Sequence, residues 1–181
     1  MALELVKIRS CSITGLPVEA NGLSNQRLGS SIFRILEGNV LCSISTVTPE
    51  NRAHINTAYF SYSNELEIYF LSHPASLHCR NLSANSSVAI TVFSSSQNWT
   101  EPGQGLQLFG NCTQVRGRQV TKAEVSYSKR FPAFGSWRVN LNEDDVSRDY
   151  RFYRIITARL KVHDEKTFGD GVFIFADAKR T

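Results

Sequence analysis

The chain has 181 residues, 41% of them apolar and 20% charged, with a formal net charge of +4. That length and composition suit one folded domain with a real core and exclude a disordered chain. The mild positive balance suits an anionic cofactor or substrate, and without a dense Lys/Arg run it argues against nucleic acid.

Residues 1–23 read as an N-terminal arm, in which LELVKI fits a short strand or helix and turn residues follow throughout. Residues 24–38 read as a helix: Ser24 or Asn25 caps it, Leu28, Ile32, Ile35 and Leu36 recur at helical spacing, and Gly38 stops it. Val40–Val47 alternates with a period of two and predicts a half-buried strand, and Pro49-Glu50-Asn51 turns the chain. Arg52–Tyr62 is rich in β-branched and aromatic residues, and Leu66–Ser72 is a mostly apolar strand. Ser63-Asn64-Glu65 between them predicts a hairpin, with Asn able to take a left-handed backbone.

After Ser72 the chemistry changes. Ser76 is a good cap for a two-turn helix over Leu77–Ala84, with Leu77 and Leu82 inward. The free N–H groups of such a helix start attract anions, and Ser72, Ser76, His78 and Arg80 cluster at that end. Many surface loops carry a similar set, so this cluster alone does not define a site.

Val88–Phe93 predicts an apolar strand, followed by a polar loop of about twelve residues from Ser94 to Gly105 that carries Trp99. Leu106–Val115 alternates as a strand in which Gly110 marks a bulge or a close backbone approach. Thr121–Phe131 predicts a helix opened by a Thr121/Glu124 capping box, and Phe131–Trp137 an aromatic turn that covers a core edge or walls a pocket. Tyr150–Val162 predicts a long strand with a solvated basic side, and Gly169–Ala176 a last strand. The tail, residues 177–181, is expected to fray.

Cys11, Cys42, Cys79 and Cys112 lie about thirty residues apart with no C-x-x-C pair, which predicts neither zinc nor disulfides. No segment has the apolar length of a membrane span and no N-terminal stretch has the layout of a signal peptide, so a cytoplasmic location is expected. There is no G-x-S-x-G elbow, dinucleotide fingerprint or P-loop, and the four histidines show no ligand pattern, so no metal site is predicted. No nucleophile–base–acid constellation is visible in the sequence.

The order of these pieces carries a resemblance. A Gly-terminated helix, VLCSISTV, the hairpin HINTAYF…LEIYFLS, the loop-helix SLHCRNLSANSSV and the strand VAITVF are similar to the pyridoxamine 5′-phosphate oxidase-like, FMN-binding split-barrel family. The similarity runs from Leu28 to Val115, with a looser match beyond. It implies a mainly β fold: an antiparallel split barrel of residues 39–176 with inserted helices, one domain over 1–181. It also implies a homodimer with FMN at the subunit interface and a small-molecule substrate.

On the matching positions, the strands of His54–Ala58 and Phe70–Ser72 (Asn56, Thr57 and Ala58; Phe70, Leu71 and Ser72) would line the flavin. The resemblance puts Ser76, His78 and Arg80 at the phosphate, Trp99 on a loop near the partner's flavin, and Gln107 against the ring. His78 stands where the family commonly has Lys, a partly charged imidazole in place of a full point charge. FMN-dependent oxidoreduction of an unspecified substrate is therefore expected. The alternatives are a haem- or deazaflavin-binding split barrel and a non-enzymatic flavin-binding dimer.

Overall fold

The computed structural model describes residues 3–180. The strands are β1 (Leu3–Cys11), β2 (Leu41–Val47), β3 (Ala53–Tyr62), β4 (Glu67–Ser72), β5 (Ser87–Val92), β6 (Gln104–Gln114), β7 (Arg151–Asp164) and β8 (Phe173–Arg180). The helices are α1 (Asn25–Glu37), α2 (Leu77–Ala84), α3 (Gln119–Arg130), α4 (Phe134–Val139) and α5 (Glu165–Phe168), with a 3₁₀ turn at Val146–Asp149.

The strands form one antiparallel sheet in the order β1-β8-β7-β4-β3-β2-β5-β6, and a β7–β6 pairing closes six of them into a barrel. β7 can serve both β6 and β4 because it is 14 residues long. The inward residues of the barrel strands, among them Ile44, Phe60, Phe70, Ile90, Leu106, Leu108 and Ile155, form the core, and Leu28, Ile32, Ile35 and Leu36 of α1 pack into the same cluster. The three- and four-residue spacing of those α1 side chains is the apolar stripe expected of a half-buried helix. Ser24 caps α1 by accepting from the Arg27 N–H.

Close packing also explains Gly110. A Cβ there would lie 2.0 Å from the Ile156 carbonyl oxygen, and the β6–β7 register shifts between Phe109 and Gly110. Both the bulge and the close approach occur at this one glycine.

Several local expectations are corrected. Residues 177–180 do not fray but complete β8, where Arg180 pairs with Leu3 and donates to the Thr157 and Glu65 carbonyls. In the β3–β4 hairpin the left-handed residue is Leu66 (φ 53°), not Asn64; its side chain is fully buried, so core packing holds a backbone that leucine disfavours. Helix α3 begins at Gln119 without a side-chain cap, so Thr121 is a helical residue and not the start of a capping box. The basic side of β7 is not uniformly solvated. Arg154 pairs with the buried Glu67 at 3.3 Å, which also accepts from Lys122 at 2.7 Å and from the Tyr69 hydroxyl at 2.6 Å.

Candidate functional site

The site lies where two neighbouring strands part. The β3–β4 ladder holds only Tyr62↔Ile68, Ser61↔Tyr69 and Phe60↔Phe70. Beyond Phe60, β3 stays with β2 (Ala58↔Cys42, Thr57↔Ser43, Asn56↔Ile44), whereas beyond Phe70, β4 stays with β7 (Leu71↔Phe152, Ser72↔Arg151). The barrel is therefore split between the first half of β3 and the end of β4. The β3 edge facing that split has no ladder partner from β4, which leaves alternating backbone N–H and C=O groups to be met by something else.

Helix α2 stands in the split. Cys79, Asn81 and Leu82 are its buried residues, and the Asn81 amide donates to the Thr46 hydroxyl at 3.0 Å, which fixes the helix on β2. Leu77, expected inward, is 43% exposed: at 100° per residue the face built on 79 and 82 leaves 77 on the solvent side. His78 consequently points back into the split. Its Nε2 lies 2.7 Å from the Ser72 hydroxyl and 3.1 Å from that of Ser76, and the two hydroxyls are 3.2 Å apart. Ser76 is the N-cap residue, yet its hydroxyl engages the imidazole and no backbone N–H. The His54 ring lies almost parallel to His78, at 6.4 Å and 6°. Burial pushes the His78 pKa down, disfavouring the imidazolium form.

From this polar end a cavity of about 660 Å³ runs toward α3 and α4. Asn56, Thr57, Ala58, Leu71, Ser72 and His78 line it together with the rings of Tyr59, Tyr127, Phe131, Phe134, Trp137 and Tyr150. Asn56 Oδ1 is buried with no hydrogen-bond partner. The aromatic side is held by its own packing: Tyr127 meets Phe134 at 5.1 Å and Phe152 at 5.5 Å, both edge to face, and donates its hydroxyl to the Tyr59 carbonyl at 3.2 Å. Among the described residues no group of three His, Cys, Asp or Glu side chains is arranged to hold a metal ion.

Of the residues named from the sequence, Asn56, Thr57, Ala58, Leu71, Ser72 and His78 converge on this cavity, with Ser76 bonded behind them. Phe70 does not: it is fully buried and stacks on Tyr153 at 5.4 Å, because the strand alternation that sends Leu71 into the cavity sends Phe70 into the barrel. Arg80 is exposed and its guanidinium donates to the Ala75 carbonyl outside the cavity. Trp99 is 98% exposed on its loop, and Gln107 lies exposed on β6 between Thr91 and Lys161; neither lines the cavity. Tyr59, Tyr127 and Tyr150 carry no local signal in the sequence, being isolated tyrosines on a strand, a helix and a loop end. The Phe131–Trp137 cluster was the available clue to the wall.

The profile of the pyridoxamine 5′-phosphate oxidase family matches residues 30–164. The chain belongs to that family, and its fold is the split barrel of the family.

Solved structures agree on the fold. A heme-binding protein from Mycobacterium smegmatis superposes with a TM-score of 0.63 at 14% identity, covering 83% of this chain and 57% of that one. A candidate 5-nitroimidazole antibiotic resistance protein from Bacteroides thetaiotaomicron gives 0.59 at 13% identity over 99% and 96%. An F420 reductase gives 0.52 at 17% over 70% and 93%. No curated protein matches the sequence.

Proposed function

We propose that this protein binds FMN in the split between β3 and β4 and acts as an FMN-dependent oxidoreductase on a small molecule, as a homodimer. The observation that carries this reading is the single cavity that joins an aromatic wall to a hydroxyl–imidazole cluster at the start of α2. Apolar walls with a few converging polar groups are the usual make-up of a cofactor site.

The residues fit the cofactor. Ser72, Ser76 and the first N–H groups of α2 suit a phosphate, with His78 as the hydrogen-bonding base between them. The unpartnered Asn56 amide oxygen and the open β3 edge suit the polar rim of a flavin ring. When bound, the flavin supplies the redox chemistry by exchanging a hydride. The chain's part is to orient the ring along β3, hold the tail at α2 and exclude water with the wall from Tyr127 to Trp137. Exposed Trp99 and Gln107 are assigned to the opposite protomer's cavity. The outward Leu41 and Ile55, 43% and 66% exposed, supply an apolar surface for the pairing. Four unpaired cysteines support a reducing, cytoplasmic setting.

Haem is the second reading, favoured by a neutral imidazole in the cavity. Two hydroxyls already share its Nε2, which is why flavin is preferred. Reconstitution of the purified chain with FMN and with haem, followed by absorption spectroscopy and a mass measurement in solution, tests the proposal. The paired visible bands of an oxidised flavin on a dimer are expected. A Soret band alone, or a colourless monomer, overturns it.

A further inference from the structure

We propose that the substrate taken by this cavity is an uncharged planar aromatic molecule, and that phosphorylated or carboxylated rings are refused. The proposal rests on the flavin reading of the same cavity and adds the class of molecule that lies against its far wall.

The wall is made of rings in fixed relation. Phe131 meets Tyr127 at 4.8 Å and stands edge-on to Tyr59 at 5.8 Å and 81°, while Phe134 meets Trp137 at 5.9 Å. A flat ring entering here finds both edges and faces to pack on, the arrangements aromatic pairs prefer.

No Lys, Arg, Asp or Glu lines the cavity. Most basic residues on the surrounding elements are engaged elsewhere, and Arg148, two residues before Tyr150, is exposed and does not line the cavity. Arg130, on the same helix as Tyr127, donates to the Leu36 and Asn39 carbonyls and lies over the rings of Phe60 and Tyr62. Arg138, beside Trp137, donates to the Ser147 and Tyr150 carbonyls. Arg151 donates to the Arg148 and Tyr150 carbonyls, Lys122 bonds Glu65 and Glu67, and Arg80 bonds Ala75. Lys129 is exposed on α3 and does not line the cavity. His78 lies at the opposite, phosphate-binding end. An anionic ring would lose its water with no cation of the same protomer to replace it, whereas a neutral ring loses little. Tyr59 and Tyr150 line the cavity, and their hydroxyls can donate to a carbonyl, nitro or quinone oxygen.

The test is isothermal titration of the full chain, FMN-loaded and FMN-free, with 2-methyl-1,4-naphthoquinone and with pyridoxine 5′-phosphate. The quinone is expected to bind at least about tenfold more tightly, and Trp137→Ala to weaken it by about tenfold. Trp137→Arg is expected to reverse the preference. Trp137 is chosen because it is 39% exposed, so its replacement spares the buried ring cluster. In the FMN-loaded chain, where the phosphate end is occupied, pyridoxine 5′-phosphate binding as well as the quinone, neither binding, or Trp137→Ala leaving the quinone unaffected would each overturn the inference. If the chain retains no FMN while the FMN-free protein still prefers the quinone, the flavin reading fails and this one stands. If FMN is retained and the phosphorylated ring is preferred, the reverse holds.

Discussion

Ser72 and His78 meet across the split: the hydroxyl at the end of β4 lies 2.7 Å from Nε2 of an imidazole in the first turn of α2. This contact ties the last residue of a barrel strand to the helix that would receive a phosphate. It also sets the charge of the site, because the same burial that brings the groups together disfavours imidazolium.

The first prediction is a pH dependence. Burial lowers the His78 pKa below its unfolded value, so between the two values the unfolded chain binds more protons. Stability contributed by neutral His78 is therefore complete above the unfolded pKa, near 6.5, and is lost as pH falls toward the folded value. Thermal melts from neutral pH downward should show a decline through this window that is shallower in His78→Gln. Parallel curves for the two proteins would show that His78 is solvated.

Replacing His78 by Lys should tighten FMN retention by supplying a full positive charge at the same position, and Ser72→Ala should loosen it. Equilibrium dialysis against FMN measures both. Arg80→Ala should leave retention unchanged, because its guanidinium is engaged with the Ala75 carbonyl outside the cavity.

Glu67 is a buried carboxylate whose burial alone would raise its pKa. The hydrogen bonds from Lys122 and Tyr69 and the charges of Lys122 and Arg154 outweigh that effect, and the net shift is downward. Its contribution is present above the unfolded pKa of a glutamate and lost as pH falls through the folded one. Glu67→Gln should cost about 2 kcal/mol in urea unfolding at pH 7, less than a fully enclosed pair because Lys122 is half exposed. Stability should then vary less with pH in the acid range.

Gly110→Ala should destabilise the barrel by about 2–3 kcal/mol, since the added methyl meets the Ile156 backbone, which cannot swing aside as a side chain would. Urea unfolding measures the loss. A neutral result would mean the β6–β7 bulge shifts freely.

Thiol reactivity offers a check of the core. Burial pushes the Cys42 thiol up to about 12 and raises Cys112 as well, and Cys79 is fully buried; Cys11 is only half-buried. A native titration with a disulfide reagent should modify Cys11 alone, and denaturation should release the other three. Rapid reaction of two or more thiols in the native protein would contradict the packing.

Periodicity along the chain was enough to define α1, the β3–β4 hairpin, α2 and the family, because an apolar stripe or an alternation is written in neighbouring residues. Ser72, Ser76 and His78 were legible for the same reason, since a strand end and the helix after it bring them together within seven positions. What local pattern could not decide was where partners separated in sequence would meet. Leu66 takes the left-handed turn position because the core demands its side chain, and the 177–180 tail becomes a strand because β1 is there to pair with it. Tyr127, Phe131, Phe134 and Trp137 become a cavity wall only when α3 and α4 fold back over the open end of β3. The family and the polar half of the site are thus properties of the sequence. The cavity, its neutral wall and the charge of His78 are properties of the packing, since burial and proximity exist only once distant segments have closed on one another.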